Sequence, residues 1–386
     1  MNLNLSHKRA IIVILLFVFS LVIRLIGLDY QSGDMKSFLI PWYGEIQANG
    51  GIASLSKQVG NYNLLYQTLI SFLTYINVNA VYLIKIPSIL FDYILAFVVA
   101  LIVKDLLNGG DERHKLILPL HYIAFFVILI VPTIVVNSAI WGQCDSMYAS
   151  FSLATLFFLR KDSYIKAALC LGAAFACKLQ TIFIIPFICS YLLAKRKYNA
   201  VYYLPLVIIV FWSAGFLAFF EGRSLLAPIE VYMGQTEESQ AMFYNFPSFW
   251  GCLGRFAEYE TFGTIAIVFT ACLCIFYFLL YLRYWKDETI ETYYSYAALM
   301  TWTVVLFLPC MHDRYAYLVD LLLIVCCFID RKYIPFAVIA CLLSFWCYIQ
   351  YLLVVDIPHG HTLQSVVYTL LYFGYALTIY YNLKKK

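Results

Sequence analysis

The chain has 386 residues, 63% of them hydrophobic and 12% charged, with a formal net charge of +4 at pH 7. A soluble globular protein carries roughly 25% charged residues, so that class is excluded and a polytopic membrane protein is implied. The cationic residues fall in short loops rather than on one face, which speaks against nucleic acid as a partner.

In chain order, His7-Lys8-Arg9 precedes a first apolar run from about Ala10 to Leu28. The run is too long for a signal-peptide core and has no small-residue cleavage site, so it is expected to stay as a signal anchor. The positive-inside rule then puts the N-terminus in the cytoplasm and residues 29–63 outside, as a large first external loop. That loop holds Ser32-Gly33-Asp34, an aromatic run Phe38-Leu39-Ile40-Pro41-Trp42-Tyr43, and Asn61-Tyr62-Asn63. Connections this long are uncommon unless they have a function. Asp34 is its focal residue, a carboxylate just beyond a span and suited to accept a proton. The plainer reading is an N-cap for a helix beginning near Met35.

Further apolar runs lie at about Tyr62 to Ile76, Val81 to Val103, Leu116 to Asn137, Cys144 to Leu159, Ile165 to Cys177, Thr181 to Ala194 and Val201 to Phe220. Others follow at Phe262 to Tyr284, Thr292 to Leu308, Tyr315 to Ile329, Ile334 to Val354 and Leu363 to Tyr381. Several are shorter than the roughly 17 residues of a full span, as where helices break around a cavity. If Tyr62 to Ile76 does not cross, about twelve crossings result, with both termini and the basic loops inside. Those loops are Lys104 to Lys115, Arg160-Lys161, Lys195-Arg196-Lys197, Arg283 to Lys286 and Arg331-Lys332. If it does cross, a thirteenth span appears and Ile165 to Ala194 fuses into one. The expectation is an all-α polytopic domain over 1–386 with a second large external loop at 221–261. The twelve cysteines are scattered through apolar runs with no Cys-x-x-Cys pair, so they read as small buried hydrophobes.

The external loops carry the polar clusters. Trp141-Gly142-Gln143-Cys144-Asp145 tops a span; Asp145 is either a helix N-cap or a second carboxylate facing Asp34 across a cavity. Lys178, in Lys178-Leu179-Gln180, interrupts apolar sequence and needs compensation, for which a lipid phosphate is suitable and snorkelling the alternative. Met311-His312-Asp313-Arg314-Tyr315 sets three ionisable groups in a row; His and the planar fork of Arg suit a phosphorylated leaving group, an interfacial anchor being the alternative. Phe243-Tyr244-Asn245-Phe246 offers aromatic faces and an amide to a sugar, or belongs to an aromatic belt. Lys85 and Asp92 are seven residues apart in one span, which at roughly 100° per residue puts them on nearly one face; either both line the cavity or each pairs with a neighbouring helix, and structural pairing is the expectation. Asp356, His359 and His361 are a weak metal set without a visible second shell. No Walker loop, dinucleotide fingerprint or Gly-x-Ser-x-Gly stands in its required context.

Taken in order, Ser32-Gly33-Asp34, Phe38-Leu39, Pro41-Trp42-Tyr43, Asn61-Tyr62, Trp141-Gly142-Gln143 with Asp145, Lys178-Leu179-Gln180 and Leu308-Pro309 with Met311 to Tyr315 resemble the GT-C membrane glycosyltransferases. Within them the set is most similar to bacterial relatives of the second mannosyltransferase of GPI-anchor synthesis. The resemblance implies about 12–13 transmembrane helices and an essential acid in the first external loop. It also implies a polyprenyl-phosphate sugar donor, reaction on the outer face of a bacterial plasma membrane, and no required metal or other cofactor. By position, Asp34 matches the catalytic base and Asp145 a second acid, while Lys178, Gln180, His312 and Arg314 match residues near the donor phosphate. Tyr315, Trp141, Gln143 and Asn245 complete the candidate substrate contacts. Relatives often have Glu where Asp313 stands, and a proline-rich turn is replaced by Asn63-Leu64-Leu65.

The expected reaction is an inverting transfer to a lipid-linked glycan, a cell-wall polymer or a protein. The rival is a transporter or flippase of a lipid-linked intermediate, in which the same charges line a path. No convincing internal repeat supports it, and the polar clusters gather on one face. A lipid scaffold is a third reading.

Overall fold

The computed structural model describes residues 5–107, 117–237, 240–284, 289–355 and 360–384. Asp356 and His359 fall outside these residues, as does 108–116 of the basic loop. In chain order the helices are α1 (Leu5–Ile26), α2 (Ile40–Ala48), α3 (Leu64–Leu73), α4 (Ala80–Leu107), α5 (Leu120–Ile130) and α6 (Pro132–Val135). There follow α7 (Asp145–Arg160), α8 (Tyr164–Cys177), α9 (Ile185–Ala194), α10 (Leu204–Ser213), α11 (Phe216–Phe220) and α12 (Ala227–Glu237). The last are α13 (Tyr259–Tyr284), α14 (Ile290–Phe307), α15 (Tyr317–Ile329), α16 (Ile334–Leu353) and α17 (Gly360–Lys384). Two π-helical segments, Met35–Leu39 and Val136–Trp141, and two short strands, β1 (Phe243–Tyr244) and β2 (Met311–His312), complete what concerns the site.

This is a polytopic, all-α membrane protein. Among the described residues α1, α4, α13, α16 and α17 are long and apolar enough to cross a bilayer, and α5 makes a sixth when joined across a 52° bend to Pro132–Trp141. The bend has a local cause. Val131 precedes Pro132 and is extended at φ −58°, ψ 125°, because the proline ring disfavours the helical region for the residue before it. Several expected runs resolve into shorter pieces. Tyr62 to Ile76 holds only the ten-residue α3, about 15 Å long and so half a hydrocarbon core. The stretch around Lys178 is broken: α8 ends at Cys177, Lys178 is extended at φ −156°, ψ 145°, and a 3₁₀ turn runs over Leu179–Ile184.

The chain forms two compact units, one made of Met1–Leu179 and Pro205–Met233 and the other of Gln180–Leu204 and Gly234–Lys386. In the first, α4 packs against α5 and α7, and α7 against α8. A buried guanidinium ties this unit together: Arg24, 1% exposed, donates from Nε to Asp92 Oδ2 at 3.0 Å and from Nη1 to the Ser20 and Leu129 carbonyls. Ser138 Oγ also donates to Asp92 Oδ2, at 2.6 Å. An ion pair this deep is costly unless it is well bonded, and here Arg24 Nε and Nη1 and Asp92 Oδ2 are bonded while Asp92 Oδ1 has no hydrogen-bond partner among the described residues. Asp92 is thus a structural partner of neighbouring elements, and so is Lys85, which donates to backbone carbonyls just after α1; Arg24 itself gave no sequence signal.

In the second unit α14 is buried on all sides from Thr292 to Phe307, the mark of a helix central to its bundle. It packs against α9, α13, α15 and α17.

Candidate active site

Two π-helical segments position the polar groups of the first unit. Asp34 immediately precedes the segment Met35–Leu39, but its side chain caps nothing. Ser32 does that work, its Oγ accepting from the Met35 amide at 3.1 Å and donating to the Trp141 carbonyl at 3.0 Å. The Asp34 carboxylate turns to partners outside its own segment. Its Oδ2 accepts from Trp141 Nε1 at 2.8 Å and from Gln143 Nε2 at 2.9 Å.

Trp141 ends the second π segment, and Gly142 turns the chain at φ +81°. That turn needs glycine for its backbone, since the left-handed region strains any side chain, and a Cβ here would also displace the end of the Met35 side chain. Gln143 is bonded on both sides, with its Oε1 accepting from Tyr62 OH at 2.7 Å. The Tyr62 ring lies under Lys178 Nζ, 5.5 Å from the centroid.

Lys178 is buried and paired. It is 5% exposed, and its Nζ stands 2.6 Å from Asp145 Oδ1. Asn137 Nδ2 donates to the other oxygen, Asp145 Oδ2, at 2.8 Å. So the cation expected to need an outside phosphate already has a counterion within the fold. Asp145 likewise is not the N-cap of α7, which is Cys144. It is 1% exposed and bonded at both oxygens, whereas Asp34 is half-buried. The two carboxylates are linked through Gln143, Tyr62 and Lys178.

The second unit gathers the other candidates. β1 and β2 pair in parallel, with Tyr244 opposite His312, and Asn245 bridges to His312. Tyr244 and His312 stack at 4.6 Å with 10° between ring planes, and Tyr315 lies 5.1 Å from the same imidazole. Thus one face of the Tyr244 ring is covered by His312. Asn245 has φ +52°, a conformation asparagine adopts more readily than most residues. Phe246 and Trp250 are buried, the latter donating to the Phe307 carbonyl at 2.7 Å. Arg314 Nη1 is 3.8 Å from Asp313 Oδ1. Gln180 sits in the 3₁₀ turn whose Phe183 ring approaches Tyr315 at 5.8 Å. Among the described residues no group of three His, Cys, Asp or Glu side chains is placed to hold a metal ion.

A family model described as glycosyltransferase family 87 matches residues 62–309, well over half the chain. The chain belongs to glycosyltransferase family 87. It is a membrane glycosyltransferase of GT-C type, the superfamily indicated by the ordered motifs. No curated protein matches it. The family 87 match takes in Tyr62, Trp141, Gln143, Asp145, Lys178, Gln180 and Asn245, while Asp34, His312, Arg314 and Tyr315 lie beyond its limits. For those four the assignment depends on geometry and motif. Sequence reasoning missed Asn137, the second partner of Asp145, and the linking role of Tyr62. Neither has a spacing signal, since their contacts bridge different elements.

Proposed function

We propose that this family 87 enzyme moves a sugar from a polyprenyl-phosphate donor to an acceptor hydroxyl with inversion, and that Asp34 is the base. The observation that carries the reading is the half-buried Asp34 carboxylate, oriented by the Trp141 indole and the Gln143 amide on one oxygen. The acceptor proton passes to Asp34, the acceptor oxygen bonds to the anomeric carbon, and the bond from that carbon to the phosphate oxygen breaks with its electron pair leaving on the lipid phosphate. A single displacement needs one accessible carboxylate. The ion-paired, buried state of Asp145 supports a positioning role for it rather than a nucleophilic one.

Cations stabilise the departing phosphate as its charge develops; the resemblance gives that role to Lys178, His312 and Arg314, and the pairing of Lys178 with Asp145 leaves His312 and Arg314 as the better supported of the three. The resemblance to GPI mannosyltransferase II relatives favours a mannosyl donor and a glycan, cell-wall polymer or protein acceptor. An outward-facing site in a bacterial plasma membrane, with cytoplasmic termini, agrees with α7. This helix starts at Asp145 and ends at Arg160, which with Lys161 binds Asp105. The basic end is thus remote from the candidate site, as the positive-inside rule requires of an external one.

The test offers purified protein a panel of polyprenyl-phosphate sugars together with glycan, cell-wall polymer and protein acceptors, and follows release of polyprenyl phosphate. Wild type is expected to turn over one donor, and Asp34→Asn to lose at least about a hundredfold, within the range for a general base. Equal rates would remove Asp34 from the mechanism.

A further inference from the structure

Lys85 is fully buried on α4, and among the described residues its hydrogen bonds go to backbone carbonyls rather than to side chains of the candidate site. Its Nζ donates to the carbonyls of Gly27 at 2.9 Å, Leu28 at 3.0 Å and Tyr30 at 2.6 Å. An ammonium group has three protons to give, so these carbonyls satisfy it entirely. One turn earlier on the same face of α4, Tyr82 OH donates to Asp29 Oδ1. Together the two side chains fix every residue from Gly27 to Tyr30, the segment that leaves α1 and leads to Asp34. The lysine stem also reaches the opposite half of the site: a Cβ on Gly142 would stand 3.7 Å from Lys85 Cγ. A charge placed at the C-terminus of α1 is favourable for the helix itself, but that need alone would be met by an exposed lysine at the helix end.

We infer that Lys85, assisted by Tyr82, is a positioning residue that sets the register of the Asp34 loop against Trp141. The inference rests on Asp34 being the base, and a misplacement of about 1 Å in such a loop costs on the order of a hundredfold in rate. Lys85 touches no substrate in this arrangement and acts only through Asp34.

The experiment uses the full-length protein in detergent micelles with isotope-labelled tryptophan indoles. The Trp141 Nε1–H resonance, assigned with Trp141→Phe, reports its bond to Asp34, and Asp34→Ala gives the position without that bond. Lys85→Met is expected to move the resonance toward the Asp34→Ala position. With the donor that wild type uses, kcat falls about a hundredfold at nearly constant KM. A folded Lys85→Met with an unmoved Trp141 resonance, or a raised KM at unchanged kcat, overturns the inference. If Lys85→Met does not fold, Tyr82→Phe removes only the bond to Asp29 and is expected to move the resonance the same way by less; no movement overturns the inference. If wild type turns over no donor, the transfer reading fails while the resonance still decides the role of Lys85.

Discussion

Trp141 Nε1 donates to Asp34 Oδ2 across 2.8 Å, although 107 positions separate the two residues. The bond joins the first loop to the turn before α7, and it is charge-assisted, a class worth about 1.5–3 kcal/mol. Trp141→Phe retains an aromatic ring and removes the donor. We expect kcat to fall about 10- to 150-fold, less than for Asp34→Asn, with little change in melting temperature. Steady-state kinetics beside a thermal melt check this; a large loss of stability at normal kcat would refute an orienting role.

The Asp145–Lys178 pair has the energetics of a buried salt bridge. Removing one partner leaves the other charged and uncompensated, at a cost of about 3–5 kcal/mol. Asp145→Asn and Lys178→Met are therefore each expected to lower stability strongly, and the double variant to recover part of the loss. A double-mutant cycle of unfolding free energies in micelles measures the coupling. Additive losses would show that the pair contributes little to the folded state.

Gly142 is constrained by both backbone and space. Gly142→Ala meets a strained left-handed conformation, costing about 1–3 kcal/mol, and the Met35 side chain in addition. Pairing it with Met35→Ala is expected to relieve the steric part and leave the backbone part. Melting temperatures of the three variants separate the two, and full recovery in the double variant would rule out backbone strain.

In the second unit, His312 has a packing role against Tyr244 and a proposed chemical one toward phosphate. His312→Phe keeps the stack and loses the nitrogen atoms. The expected result is a folded protein whose transfer rate is at least about tenfold lower, a modest loss for one polar contact. Normal transfer by His312→Phe would limit His312 to packing.

The membrane character is legible in the sequence, and so is the presence of buried charge in the first unit, because charge is rare in apolar runs and each charged residue stands out. Lys178 and Asp145 were both visible in this way. Their pairing was not, since contacts between helices leave no periodic trace, and a phosphate seemed the natural counterion. Arg24 was hidden within the last turn of an apolar run, where a basic residue reads as an interfacial anchor. The full-length spans α1, α4, α13, α16 and α17 followed from hydropathy. The short pieces around Pro132 and Lys178 did not, because hydropathy records apolar length and is blind to where the backbone ladder breaks.

The π-helical segments Met35–Leu39 and Val136–Trp141 lie directly beside Asp34 and Gly142. A π turn is an α-helix with one residue more than its ladder accommodates, a feature frequent at functional sites. Deleting Ala139 would let the second segment close as ordinary helix and rotate Trp141 by roughly 100° about the axis, away from Asp34. Membrane insertion needs only apolar length and would survive the change. A lineage could therefore keep this scaffold and lose its chemistry by dropping a single codon, and a non-catalytic descendant would be recognised first by a gap at that turn.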